Sequence, residues 1–181
     1  MKPGSILRPV FGVMLACAIA ALGPAPRAAE PASEPITVAV ADFAYIDQSG
    51  GVMEQGHLHA DRLRTLVQQV RDGLDQSGRY RVLPLTCGAA PCAIGRTDPA
   101  ELLAQARAAG ARLLVYGGVQ KMSAMLQYGN AEVVDLEADR LVFDRNIPFR
   151  NDSDEAWQRA ASFLVAELMK EELVKSDVTT R

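Results

Sequence analysis

From Ile36 to Phe43 the chain is apolar at almost every position, β-branched at its start, with Asp42 as its single charge. A run without alternation, bounded by turn-forming residues, predicts a strand covered on both faces, and helices are needed to cover it. Residues 44–58 carry Gly50, Gly51 and Gly56 and read as a loop. A connection of that length is often functional. Leu63, Leu66, Val67, Val70 and Leu74 then recur at helical spacing and predict a helix over 59–77. Gly78 follows, where a helix end favours a positive φ.

Residues 79–85 alternate at their start and read as a second strand, with Pro84 near its end. Asp98, Pro99 and Glu101 form a helix start: an N-cap, a proline at N1 and an acid at N3. That helix runs to about 109, before Gly110. A third strand covers 112–119, where Gly117 and Gly118 allow a bulge or a close approach. The pattern extends through 122–127, turns at Gly129 and Asn130, returns over 131–136, turns at 137–139 and continues as a strand over 140–144. Asp152 to Glu155 has the spacing of a second capping box. Trp157, Ala160, Ala161, Leu164 and Leu168 form the apolar stripe of a last helix, to about 173. The order β-α-β-α-β-β-β-α predicts an α/β (α+β mixed sheet) fold, one domain over 36–173 with helices packed on a mixed sheet.

Composition changes this picture at the two ends. Of the 181 residues 49% are hydrophobic, but part of that share lies near the N-terminus. Lys2 and Arg8 precede an uncharged apolar run from Val10 to Leu22, and small residues and prolines follow. This is the layout of a signal peptide over 1–29, cleaved near Ala28 or Ala29, with 30–35 as a mobile lead-in. The expected location is periplasmic or secreted, with no integral membrane segment left after cleavage. Leu15, Ala16 and Cys17 form a partial lipobox, so the alternative is a lipoprotein anchored through Cys17. Residues 174–181 read as a polar tail. Without the leader, 16 basic residues face 22 acidic ones. That balance argues against a nucleic-acid partner.

Candidate chemistry is sparse. Cys87 and Cys92 are the two cysteines left in an exported chain and read as a structural disulfide, with metal or redox roles as alternatives. On an extended segment His57 and His59 share a face and become weak candidates for metal ligands, Asp42, Asp47 or Glu54 adding a carboxylate. Spacing fixes no third ligand, so no metal and no cofactor is assigned. Asp152, Asp154 and Glu155 are explained by the dipole of the helix they begin. No Gly-x-Ser-x-Gly or other nucleophile–base set is present, so no catalytic residue is assigned. The parallel strands end on one side, where the 44–58 and Cys87–Cys92 loops are expected to meet. Asp42, Asp47, His57, His59 and Arg62 form the candidate binding edge there.

Taken together, Val38 to Phe43, Gly78 to Leu85, Gly117 to Ser123 and Phe149 to Trp157 resemble the DUF3280/DUF2380 family of exported bacterial proteins. The element order is similar to the TolB N-terminal domain and to CsgG-like modules. The resemblance implies a non-catalytic binding or assembly module with a periplasmic protein partner. Its alternative implication is a small-molecule or metal-binding accessory protein of a periplasmic quinoprotein dehydrogenase system.

Overall fold

The structure, a computed structural model, describes residues 34–50, 56–89, 91–123 and 125–174. The leader with Cys17, most of the lead-in, Glu54 and the tail from 175 lie outside the described residues. The first strand, β1 (Ile36–Val40), pairs in parallel with β3 (Tyr80–Leu83) on one side and β4 (Leu113–Lys121) on the other. From Val38 to Ala41 every side chain is buried, as the unbroken apolar run requires. Beyond β4 the sheet continues antiparallel through β5 (Gln127–Asp135) to β6 (Arg140–Pro148). Strand order is β3-β1-β4-β5-β6.

The stretch expected as a loop over 44–58 is different. Ala44–Asp47 forms β2, paired in parallel with the second half of β4. Val40 stands opposite Val115 and Ala44 opposite Gly118, so four steps on one strand match three on its partner. The extra residue acts as a bulge and reverses the inside–outside alternation. Val38 and Val40 share a core with Phe43 and Tyr45, across that switch. The bulge frees the Val40 carbonyl, which accepts from Arg71 at 2.7 Å, while Asp42 Oδ1 accepts from the same guanidinium at 3.0 Å. The first helix, α1 (Gly56–Gln76), begins three residues before the expected start.

Two layers of helix cover the sheet unequally. α1 and α3 (Asp154–Lys170) lie on one face, over the larger core of Val38, Val40, Phe43, Leu113, Val115, Val133 and Phe143. Gly73 lets them close together, since a Cβ there would come within 2.9 Å of Val165. The other face receives only α2 (Pro99–Ala108), whose Leu102 and Ala106 pack on Ala39, Ala41 and Leu114. Asp98 caps α2 as the sequence predicts, accepting from the amides of Ala100 and Glu101.

Ten residues of helix cannot span that face. Among the described residues, three transverse rows past α2 stay open: Tyr116, Glu132 and Asp144; Ala44, Gly118, Asn130 and Asn146; Ile46, Gln120, Tyr128 and Pro148. The turn expected at Gly129 and Asn130 lies instead just before β5, closed by the amides of Met122 and Ser123 on the Leu126 carbonyl. Gly129 is needed within β5, where a Cβ would meet Gly118 O at 3.1 Å and Ile147 at 3.3 Å.

Cys87 and Cys92 form a disulfide, both nearly buried, with Cα atoms 5.3 Å apart. The Cys92 carbonyl accepts from the Asp42 amide at 2.8 Å, so this loop abuts the end of β1. Replacing both cysteines with serine is expected to lower the unfolding free energy by about 2 kcal/mol, the loop-closure value for so short a ring. Urea titration of the oxidised protein against the double variant reads this; equal midpoints would show the bond to be energetically idle.

Candidate functional site

The residues nominated from sequence divide into two groups. Asp42 turns to Arg71 on α1, beside a hollow of about 540 Å³ that Asp61, Arg64, Thr65 and Gln68 also line. Asp47 is exposed and folds onto its own turn, accepting from the Ser49 amide at 2.8 Å and hydroxyl at 2.6 Å. These bonds hold its carboxyl below the usual range. His57 and His59 lie in the first turn of α1 and do not form the extended pair expected. Two residues along a helix is more than half a turn, so His57 faces solvent while His59 is 1% exposed. Among the described residues no group of three or more His, Cys, Asp or Glu could hold a metal.

His59 and Arg62 instead meet a residue that sequence reasoning placed elsewhere. Asp152 has the spacing of an N-cap, yet Ser153 caps α3, its hydroxyl accepting from the Ala156 amide. Asp152 turns inward. Its Oδ2 accepts from His59 Nε2 at 2.7 Å and Lys121 Nζ at 2.9 Å. Its Oδ1 accepts from Arg62 Nη1 at 2.9 Å and Trp157 Nε1 at 3.1 Å. Arg62 continues to Asp154 through Nε, at 2.7 Å. The cluster ties the start of α1, the end of β4 and the start of α3 to one carboxylate.

Burial alone would raise the Asp152 pKa, but the hydrogen bonds from His59, Lys121 and Trp157 outweigh it and hold the carboxyl well below the usual range. An ionised carboxylate only accepts, so His59 Nε2 carries the hydrogen that faces it. The Tyr45 ring stacks on the imidazole at 4.9 Å, and the Trp157 ring meets Phe149 edge-on at 5.1 Å. The Tyr45 hydroxyl is buried and has no hydrogen-bond partner among the described residues. Burial, then the charges of Asp47 and Asp152, push that phenol well up. Chemically the site is a His–Asp pair with its imidazole sealed. Nε2 is committed to Asp152 and the ring is covered, so the arrangement holds elements together.

One signal for the cluster was readable. Leu113, Val115, Val119 and Lys121 share the inward face of β4 by alternation, and Lys121 is 5% exposed. An inward lysine calls for a buried acid.

The open side of the sheet offers the other kind of site. Ile46 is 53% exposed and Tyr128 44%. Between them and Tyr116 runs a groove of about 200 Å³ that Ile94 also borders. Its polar groups answer one another: the Tyr116 hydroxyl donates to Glu132 at 2.6 Å and the Tyr128 hydroxyl to Gln120 at 2.5 Å.

The chain is similar to several solved structures, each at low identity and with a TM-score below 0.5. TolB from Acinetobacter baumannii is 16% identical with a TM-score of 0.43, over 73% of this chain and 28% of that one. The chain therefore spans under a third of that protein. The LpoB C-terminal domain from Salmonella enterica is 8% identical with a TM-score of 0.42, over 65% and 84% of the two chains. Lipoprotein GNA1162 from Neisseria meningitidis is 14% identical with a TM-score of 0.38, over 77% and 100%. Comparison with curated protein sequences gives no match. Residues 36–169 match the family model DUF3280, described as a protein of unknown function (DUF2380), and the chain belongs to that family.

Proposed function

We propose that this protein is a non-catalytic binding or assembly module that engages another protein in the cell envelope. The observation that carries this is the sheet face past α2, left open among the described residues and presenting Ile46 and Tyr128 to solvent. Monomers bury such faces unless something else covers them. The sealed state of His59 also fits a module that does no chemistry, because a general base must reach a substrate proton. The leader pattern supports an exported chain and a periplasmic partner. No described helix is long and apolar enough to cross a membrane.

A second reading, a small-molecule or metal-binding accessory protein, draws on the hollow beside Asp42 and Arg71. Its volume is in the range of ligand sites, but its lining is charged and few apolar groups converge there.

Photocrosslinking side chains placed in turn at Arg64, Ala104, Arg159 and Tyr128 separate these readings in living cells. All four positions are exposed and lie on different elements. The binding-module reading expects a discrete protein adduct from at least one position. No adduct anywhere, together with a melting temperature raised by divalent metals or a soluble cofactor, would replace it with the second reading.

A further inference from the structure

We propose that the open rows of the sheet bind an extended, arginine- or lysine-bearing segment of another protein, its cation held by Glu132 and Asp144 and its apolar side chain by Ile46 and Tyr128. This rests on the reading of the protein as a binding module and names its surface and partner chemistry.

Charge is the first argument. Glu132 on β5 stands directly opposite Asp144 on β6, so two carboxylates share one face at neighbouring positions. Like charges so placed destabilise a sheet. The Tyr116 hydroxyl donates to Glu132, and its proton is held by burial, then by that hydrogen bond and by the charges of Glu132 and Asp144. Other acids of the chain do have a cation beside them, among them Asp139 with Arg107, Glu137 with Arg112 and Glu171 with Arg145. Among the described residues, neither Glu132 nor Asp144 has an ion-pair partner. A cation from outside would relieve the repulsion, and a guanidinium would also find the faces of Tyr116 and Tyr128.

Spacing is the second. The row of Glu132 and the row of Tyr128 lie four residues apart along β5, about 13 Å in a strand. An extended segment repeats same-side chains at about 7 Å, so a cation and an apolar group four residues apart reach both rows. Gly118, in the row between them, leaves the floor of the groove low. A Cβ there would stand 3.1 Å from the Ala44 carbonyl. A second copy fits this surface poorly, because a symmetric contact brings two such acid pairs into one interface.

The test uses a fluorescent serine octapeptide carrying arginine at its second position and valine at its sixth, a counterpart with glutamate in place of the arginine, and the full protein. Anisotropy is expected to show saturable binding of the basic peptide alone, weaker at 300 mM than at 50 mM NaCl. Backbone amide shifts should fall on β4, β5 and β6. Glu132→Gln with Asp144→Asn should weaken binding by about fivefold, the scale of two exposed charge contacts. Asp144→Asn alone should weaken it less and leave the melting temperature no lower, since it removes a repulsion; a residue with a purely structural role would lower it. Absent binding, binding unchanged in the double variant, or shifts confined to the helices would each overturn the proposal. An adduct formed only from Arg64, Ala104 or Arg159 in cells would then leave the module reading standing and remove this surface from it.

Discussion

Asp152→Ala is expected to cost about 3–5 kcal/mol, the range for removing one partner of a buried ion pair and stranding the other. Here the loss takes a shared acceptor from three groups, for His59, Lys121 and Arg62 all converge on that carboxylate, their side chains 1%, 6% and 14% exposed, although Arg62 keeps Asp154. Trp157 loses the acceptor for its indole N–H as well. Guanidinium denaturation of the variant reads the effect, and a loss under about 1 kcal/mol would show the cluster to be incidental. A double variant, Asp152→Ala with Lys121→Met, should recover part of the stability, because it removes a buried charge from a site that has lost its carboxylate. Acid sensitivity follows with a definite sign. A carboxyl held below its unfolded value near 4 contributes stability that is complete above that pH and is lost as pH falls toward the folded value. Asp135 adds to the same window. Burial opposes its ionisation, but the amides of Ala138 and Glu137 and the Arg112 guanidinium hold it low. The acid limb of the stability profile should therefore flatten in Asp152→Ala without vanishing.

Gly117→Ala is expected to lose about 3 kcal/mol, the upper end of the usual range for forcing atoms into packed space. A Cβ at this position would stand 2.2 Å from the Asn130 carbonyl oxygen and 2.9 Å from Cε2 of the buried Phe43. The carbonyl is backbone of β5, so relief means opening the β4–β5 pairing at its centre. Gly78→Ala is the internal comparison. Gly78 has φ +69° but open space around it, so the cost there is only the left-handed backbone, about 1–2 kcal/mol. Equal losses in the two variants would mean that β4 and β5 separate more easily than their register implies.

Local pattern was enough to read most elements of this chain. The stripe from Leu63 to Leu74, the Asp98 cap, the positive φ at Gly78 and the Cys87–Cys92 bond each depend on residues within a few positions of one another. The two covered faces of β1 show in its uninterrupted apolar run for the same reason.

What escaped the sequence depends on partners far along the chain. β2 is four residues long and exists because β4, about seventy positions later, has a free edge where β1 ends. Gly129 and Asn130 have turn chemistry, but the close approach of Gly118 puts them inside a strand. Asp152 has the local spacing of a cap, and Ser153 could serve as well. Donors ninety-three, ninety and thirty-one positions away decided between them, since a part-buried carboxylate with four donors outweighs one cap bond. Which part of the sheet stays open is likewise a tertiary result. The sequence by itself determined that α2 is short. Only the packed structure decided that the rows it fails to cover are those of Tyr116, Glu132 and Tyr128, because cross-strand register aligns residues that no local spacing connects.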